Sequence, residues 1–458
     1  MNKKSILFIT LCMVLCLIPS VGMLFFPTTR TTENKAMAPA PQLMTEEGSF
    51  NKAFFQDFES WFTERVALRN VLLAADGYIQ SGIFQESNVS GVMDGTDGWL
   101  YYSSTLSDYR GEDVMTDREL FNLAHNIGVV QEYAEDRGMG FVFTIAPNKN
   151  TLYPEHMPYY KSRILNADHS AKLLAPYLQD VNYLDLFQMF ENTDEVLYLK
   201  RDSHWNNKGA YMAYEAMMDM LGLSYETYPE PSLEKTENGD LNKMLYSFYG
   251  PVEENYRYDL PGGFTYEKEG ATVEDGWIVT RNMAGTGSLL MFRDSFANTL
   301  IPFFSERFES AYYSKGMPNA LERFVETYDP DQIIIQKVER NISDYLDNPP
   351  ILTPPTAELP ENLILAATDT TVQVESSMND VNYYKFSGQL DPERMEADSQ
   401  VLVSVNGTPY RAYQTGEEGY LLYVKTADFP TGTADVQVYI VNGDKCIQAL
   451  YETLELPA

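Results

Sequence analysis

"GSLLMFRDSFANTLIPFF", Gly287 to Phe304, runs four consecutive apolar residues into an Arg-Asp-Ser turn and then into a helix-like segment. A short unbroken apolar strand is buried on both faces, which is the habit of parallel sheets flanked by helices. A serine at the turn after such a strand projects from the carboxyl edge of the sheet. The N–H groups of the following helix lie beside it and can stabilise a negative oxygen. Ser295 is therefore a candidate nucleophile, and Asn298, one turn on, could donate a hydrogen bond in the same pocket. Asp294 or Ser295 could equally do no more than cap the helix.

Outward from this segment the chain alternates helix and strand. "DRELFNLAHNIGVVQEYAEDRG" predicts a helix ended by Gly138, "GFVFTIAP" a buried strand, "ADHSAKLLAPYLQD" a helix and "VNYLDLF" a strand. "NNKGAYMAYEAMMDMLG" predicts a helix and "DQIIIQKVE" a further strand. The pattern predicts an α/β/α sandwich with a central parallel sheet, whose ligands gather at the carboxyl ends of the strands. Upstream, Asp-Gly turn chemistry in "VMDGTDGWLYY" predicts a hairpin. Phe54, Phe58, Trp61, Phe62 and Val66 fall at helical spacing and predict an aromatic stripe packed on the domain.

Helical signals stop near Tyr345. The Pro-rich stretch 346–362 reads as a linker, and five short strand patterns beyond it predict a β-sandwich of roughly ninety residues. The expected organisation is an N-terminal targeting segment at 1–30, a main domain at 31–345, the linker, and an accessory β module at 363–458.

The run from Ile6 to Phe26 follows Lys3 and Lys4 and is long enough to span a bilayer. It predicts an uncleaved anchor with the main body outside the cytoplasm. A secretory signal cut after the small residues near Gly22 is the alternative. Cys12 and Cys16 lie in that run, so Cys446 is the one cysteine of the exported body, which can hold no internal disulfide and no zinc-type cysteine cluster. With 33 basic and 66 acidic residues the formal charge is −33, which excludes a nucleic-acid partner. With 44% hydrophobic residues, a large packed core is affordable.

The chain has four histidines, and His204 stands in "YLKRDSHWNNKGAYMAY" two residues after Asp202. Asp202 could hold the imidazole in one tautomer while the ring takes a proton from a hydroxyl, the two side chains being brought together by extended backbone or by a turn. A surface histidine, a helix start at Asp202 or Ser203, and a metal site compete. The metal site lacks further ligands, since His125, His156 and His169 do not cluster with the pair in sequence. Neither a metal nor a cofactor is expected. Asn148 and Lys149, after the "FVFTIAP" strand, could line the pocket.

Taken together, these segments resemble a known group. "RDSHWNNKGA" is similar to the Asp-x-His-Trp signature of the DHHW proteins and the related alginate O-acetyltransferase group of the SGNH-hydrolase superfamily. "DGTDGWLYY", "APNKNTLYPEHMP" and "FRDSFANTLIPFF" resemble that group's other blocks, in family order. "FQDFESWFTERVALRN" fits its entry helix. Arg293 stands where the pattern has glycine, and Ser203 where the DHHW name has histidine. The resemblance implies Ser295 as nucleophile, His204 as general base and Asp202 as its orienting acid. Asn298, Lys149, Asn148, Trp205 and Arg293 form the candidate substrate-binding set. It further implies O-acetyl transfer to a cell-surface polysaccharide, beside a membrane-bound O-acyltransferase that supplies acetyl groups. Alternatives are an acetylesterase with the same residues and a non-catalytic glycan-binding or assembly protein.

Overall fold

The structure is a computed structural model that describes residues 2–30, 37–45, 48–159, 161, 163, 169–235, 239–366, 368–377, 382–429 and 432–457. Residues 33–36 of the connector, 167–168 of a predicted helix and 381 of a predicted strand lie outside the described residues.

Seven strands form the central sheet: β1 (Gly140–Ala146), β2 (Tyr183–Leu184), β3 (Thr265–Tyr266), β4 (Trp277–Arg281), β5 (Ser288–Phe292), β6 (Ser310–Ser314) and β7 (Gln332–Val338). Their order is β2-β1-β7-β5-β6-β4-β3. The sheet is mixed where the sequence predicts a parallel one. β2, β1, β7, β5 and β6 run parallel, and β4 and β3 add an antiparallel edge. No helix lies between Thr265–Tyr266 and Trp277–Arg281, so a short return suffices for their antiparallel pairing.

Alternation along the strands divides the core. Phe141, Phe143, Ile145, Leu290, Phe292, Ile333 and Ile335 pack on one face, and Val142, Ala146, Leu289, Met291 and Ile334 on the other. The helices that matter below are α1 (Lys3–Gly22), α2 (Phe54–Arg65), α3 (Arg69–Ile79), α4 (Asp117–Glu135), α5 (Asn207–Met220), α6 (Asp240–Tyr246), α7 (Ile301–Arg307) and α8 (Leu321–Tyr328). α4 and α8 cover the first face, and α5 and α7 the second. Thr116 and Glu119 close a capping box on α4. The predicted strand 181–187 shortens to two residues, because Asp185 caps a helical turn at Leu186–Glu191.

Beyond Tyr345 two antiparallel-rich sheets face each other across a core that includes Val401, Val403, Val436, Val438, Phe386, Leu422 and Val424. This β-rich part shares a core with the main body: Tyr383, Tyr413, Leu421 and Tyr423 join the α4 and α8 side chains. Asn126, fully buried on α4, donates to the carbonyls of Tyr345 and Gln414 at 3.0 and 2.9 Å and accepts from the Gln414 N–H at 2.9 Å. The Pro-rich stretch does not run free in solvent, since Ile351 and Leu352 are buried in that shared core.

One correction concerns the N-terminal third. The predicted aromatic stripe on α2 stacks on itself, with Phe58 5.9 Å from Phe62, and none of its five members is buried. α1 is long and apolar enough to cross a membrane, with a mean hydropathy of 2.4, and none of that stretch is buried in the protein. Cys446 is buried and free.

Candidate active site

The cleft lies at the carboxyl ends of β5 and β7. β5 ends at Phe292 because Asp294 starts a helical turn: its Oδ1 accepts from the Phe296 N–H at 2.9 Å, and its Oδ2 accepts from the Val338 N–H at 2.6 Å. Asp294 is thus the cap that the sequence allowed, and it also ties the turn to the neighbouring strand. The turn leaves Ser295 half-buried at the cleft.

Asp202 and His204 come from a loop ahead of α5. Tyr198 and Trp205 bridge across it, and Asn206 caps α5 through the Gly209 N–H at 2.9 Å. The pair is coupled through a turn rather than along extended backbone. Oδ1 of Asp202 accepts from the His204 N–H at 3.0 Å and lies 2.6 Å from His204 Nδ1. The other side of the ring reaches Ser295, with Nε2 2.8 Å from Oγ. A neutral ring that keeps its proton on Nδ1 for Asp202 presents a lone pair to the Ser295 hydroxyl.

Around this chain stand residues that the sequence did not single out. Asp240, at the start of α6, donates its N–H to Asp202 Oδ2 at 2.9 Å, and its carboxylate accepts from the Ser203 N–H at 2.7 Å and from the Ser203 hydroxyl. This close approach needs Gly239, where a Cβ would stand 2.5 Å from the Arg201 carbonyl. Arg340, Tyr102 and Lys243 complete the wall. The cleft encloses about 1110 Å³ and opens to solvent.

Electrostatics follow the geometry. Burial works against the charged forms of both Asp202 and His204, but each outweighs that cost for the other. The Asp202 carboxyl is held well below the usual carboxylate range, and the His204 ring is pushed above the usual imidazole value. Asp240 is raised by its own burial and by the Asp202 charge.

The candidate substrate-binding residues divide. Asn298 lines the cleft, its Oδ1 accepting from the Arg293 guanidinium, so its amide nitrogen is the group left for the cleft. Arg293 turns away: it is 5% exposed and donates to the carbonyls of Val273 and Asp275, both at 2.9 Å. Burial lowers its pKa to about 10. Trp205 forms a buried wall, its indole N–H donating to Thr299 at 2.7 Å. Lys149 and Asn148 do not line this cleft, which corrects their sequence assignment. The Lys149 ammonium donates to the carbonyls of Leu199, Lys200 and Asp202 at 3.0, 3.0 and 2.5 Å, bracing the loop from behind. Burial lowers its pKa to about 8, against the pull of Asp202 and Asp240. Asn148 accepts from Arg340 at 3.2 Å.

Among the described residues, two groups have metal-type donors within reach of one another: Asp202, His204 and Asp240, and a second set behind the cleft, Asp108, His169 and Glu339. In the first, the donors already face Ser295, Ser203 and backbone N–H groups. In the second, His169 Nδ1 lies 2.8 Å from Glu339 Oε1, while Glu339 Oε2 accepts from the Asn148 N–H and the Thr151 hydroxyl.

Residues 92–269 match the family model described as SGNH hydrolase-like domain, acetyltransferase AlgX. The match contains Asp202 and His204 and ends before Ser295. A probable alginate O-acetylase AlgJ of Pseudomonas fluorescens is 28% identical over 169 residues, 34% of this chain and 41% of that protein. Its counterpart in Pseudomonas syringae pv. tomato is 31% identical over 174 residues, again 34% of this chain and 41% of that protein. The chain thus spans less than half the length of these curated relatives. A DHHW family protein from Eubacterium siraeum shares 18% identity, with a TM-score of 0.38 over 55% of this chain and 94% of that one. The resemblance read from the motifs is borne out.

Proposed function

We propose that this chain is a membrane-anchored, extracytoplasmic O-acetyltransferase that acetylates a cell-surface polysaccharide through an acetyl-Ser295 intermediate. The observation that carries the reading is the single imidazole held between Asp202 and Ser295, 2.6 Å from one and 2.8 Å from the other. The relatives' names, alginate O-acetylases, support acetyl transfer to a polysaccharide. α1 supports anchorage, and residues 31–345 are taken as the catalytic part, with 363–458 accessory.

In this mechanism Ser295 Oγ attacks the carbonyl carbon of an acetyl donor while its proton passes to His204 Nε2. Asp202 keeps Nδ1 protonated and balances the imidazolium charge. The oxygen that turns negative is met by the Asn298 amide, whose orientation Arg293 fixes, and by N–H groups of the turn after β5. His204 returns the proton to the leaving group. A sugar hydroxyl then enters, gives its proton to Nε2 and takes the acetyl group, and the proton returns to Ser295. A membrane-bound O-acyltransferase is the proposed donor partner.

Supplying the protein with 4-nitrophenyl acetate and a panel of neutral and uronic oligosaccharides tests this. Acetylated sugar, formed by wild type and not by Ser295→Ala, is the expected product. Release of free acetate at a rate indifferent to every sugar assigns the acetylesterase reading instead. A folded protein that binds glycan but turns nothing over supports the non-catalytic one.

A further inference from the structure

α3 is apolar on two opposite sides, and the protein covers one. Ala74 and Gly77 are buried against α6, so tightly that a Cβ on Gly77 would stand 2.2 Å from the Leu245 carbonyl. The outward side repeats apolar residues at helical spacing, with Leu72 52% and Ile79 49% exposed, and continues into Ile83 at 70%. Beside it α2 leaves Phe55 and Phe58 74% and 44% exposed. Exposed apolar side chains repeated on one face of a helix mark an interaction surface.

What covers the patch is argued from where it is fastened. Ala67, in the bend between α2 and α3, donates its N–H to the Pro19 carbonyl at 3.2 Å, and Thr28 donates to the Arg65 carbonyl at 3.1 Å. Gly22 packs on Ala67, where a Cβ would meet the alanine methyl at 3.0 Å. The bend is thereby fixed to the last turn of α1. A 20-residue apolar helix that crosses a bilayer ends at the lipid–water boundary, so α2 and α3 stand at that level.

We infer that the exposed face of α2 and α3, carrying Phe55, Phe58, Leu72, Ile79 and Ile83, lies in the headgroup–acyl boundary of the leaflet from which α1 emerges. This rests on the reading of α1 as an uncleaved anchor. Interfacial helices seat their apolar face roughly 5–10 Å into that boundary. Because α6 carries Asp240 and Lys243 of the cleft and packs on the inner side of α3, the site is then held about one helix diameter, ~10 Å, from the lipid.

Nitroxide labels on the full chain, reconstituted in phosphatidylcholine vesicles, test this. Labels are placed at native Cys12, or at Phe58→Cys, Ile79→Cys or Lys445→Cys with the other cysteines replaced by serine. Collision rates with oxygen and with a water-soluble nickel chelate are compared. Labels at 58 and 79 are expected to see several-fold less chelate and more oxygen than the label at 445. Chelate access equal to that at 445 overturns the inference. Shielding from both reagents also overturns it, and points to a second copy or a protein partner on the patch. Chelate access at Cys12 shows that the anchor reading itself has failed and takes this proposal with it.

Discussion

His204 Nε2 stands 2.8 Å from Ser295 Oγ, although 91 residues separate them along the chain. The contact exists because two loops, one ahead of α5 and one after β5, end at the same edge of the sheet. Residues that act as one unit give non-additive losses. Ser295→Ala and His204→Ala are each expected to lower kcat on the order of 10⁴-fold or more. The double variant should be no worse than either single one in steady-state 4-nitrophenyl acetate turnover. Losses that multiply would mean that the two side chains work separately.

The pH profile follows from the ring's surroundings. His204 must be neutral to accept the Ser295 proton. Burial favours the neutral form, Arg340 adds to that, and the nearby carboxylates of Asp202 and Asp240 outweigh both, so the pKa in the folded protein is raised. Activity should therefore fall as pH drops through a midpoint above the usual imidazole value of about 6.5. Asp202→Asn should move that limb to lower pH and lower kcat by about 10⁴-fold at the plateau. An acid limb that does not move in Asp202→Asn contradicts this account of the ring.

Lys149 separates bracing from substrate contact. Replacing it with methionine takes the ammonium donor from the part-buried carbonyls of Leu199, Lys200 and Asp202. Lys200 keeps the Leu100 N–H at 2.8 Å, and each of the other two left unpaired costs about 1–3 kcal/mol. Lys149→Met should lower Tm and kcat together by loosening the loop that carries Asp202 and His204. KM for the acceptor should change little. A rise in KM with Tm and kcat intact would return Lys149 to the substrate-binding set.

Much of this was legible in the sequence. Apolar runs such as "GSLLMF" and "DQIIIQKVE" announce their strands because buried strands need nothing else, and Ser295, His204 and Asp202 announce themselves by residue type beside those strands. Asp240 did not: it is one acidic residue among 66, and its importance comes from Gly239 letting two loops touch. Lys149 and Arg293 were assigned to substrate because a charged residue near a strand end ordinarily meets solvent. Burial turns both of them onto backbone carbonyls instead. The stripe on α2 has the periodicity of a core helix, and periodicity does not say whether protein or lipid covers it.

Asn126 provides a control of the opposite kind. It joins α4 to Gln414 of the β-rich part through two hydrogen bonds and to the Tyr345 carbonyl of the main body through a third, and touches no cleft residue. Asn126→Ala should lower stability by about 1–3 kcal/mol for each backbone group left unpaired. Turnover per folded molecule, measured well below Tm, should stay within twofold. A large loss of kcat without a fall in Tm would mean that the β-rich part reaches the site.

The most direct measurement is intact-protein mass after rapid mixing with an acetyl donor, followed by peptide mapping. The account predicts a transient gain of one acetyl group on Ser295, absent in Ser295→Ala and discharged faster when a sugar acceptor is added. An acetyl group on another residue, or turnover that continues in Ser295→Ala, would contradict it.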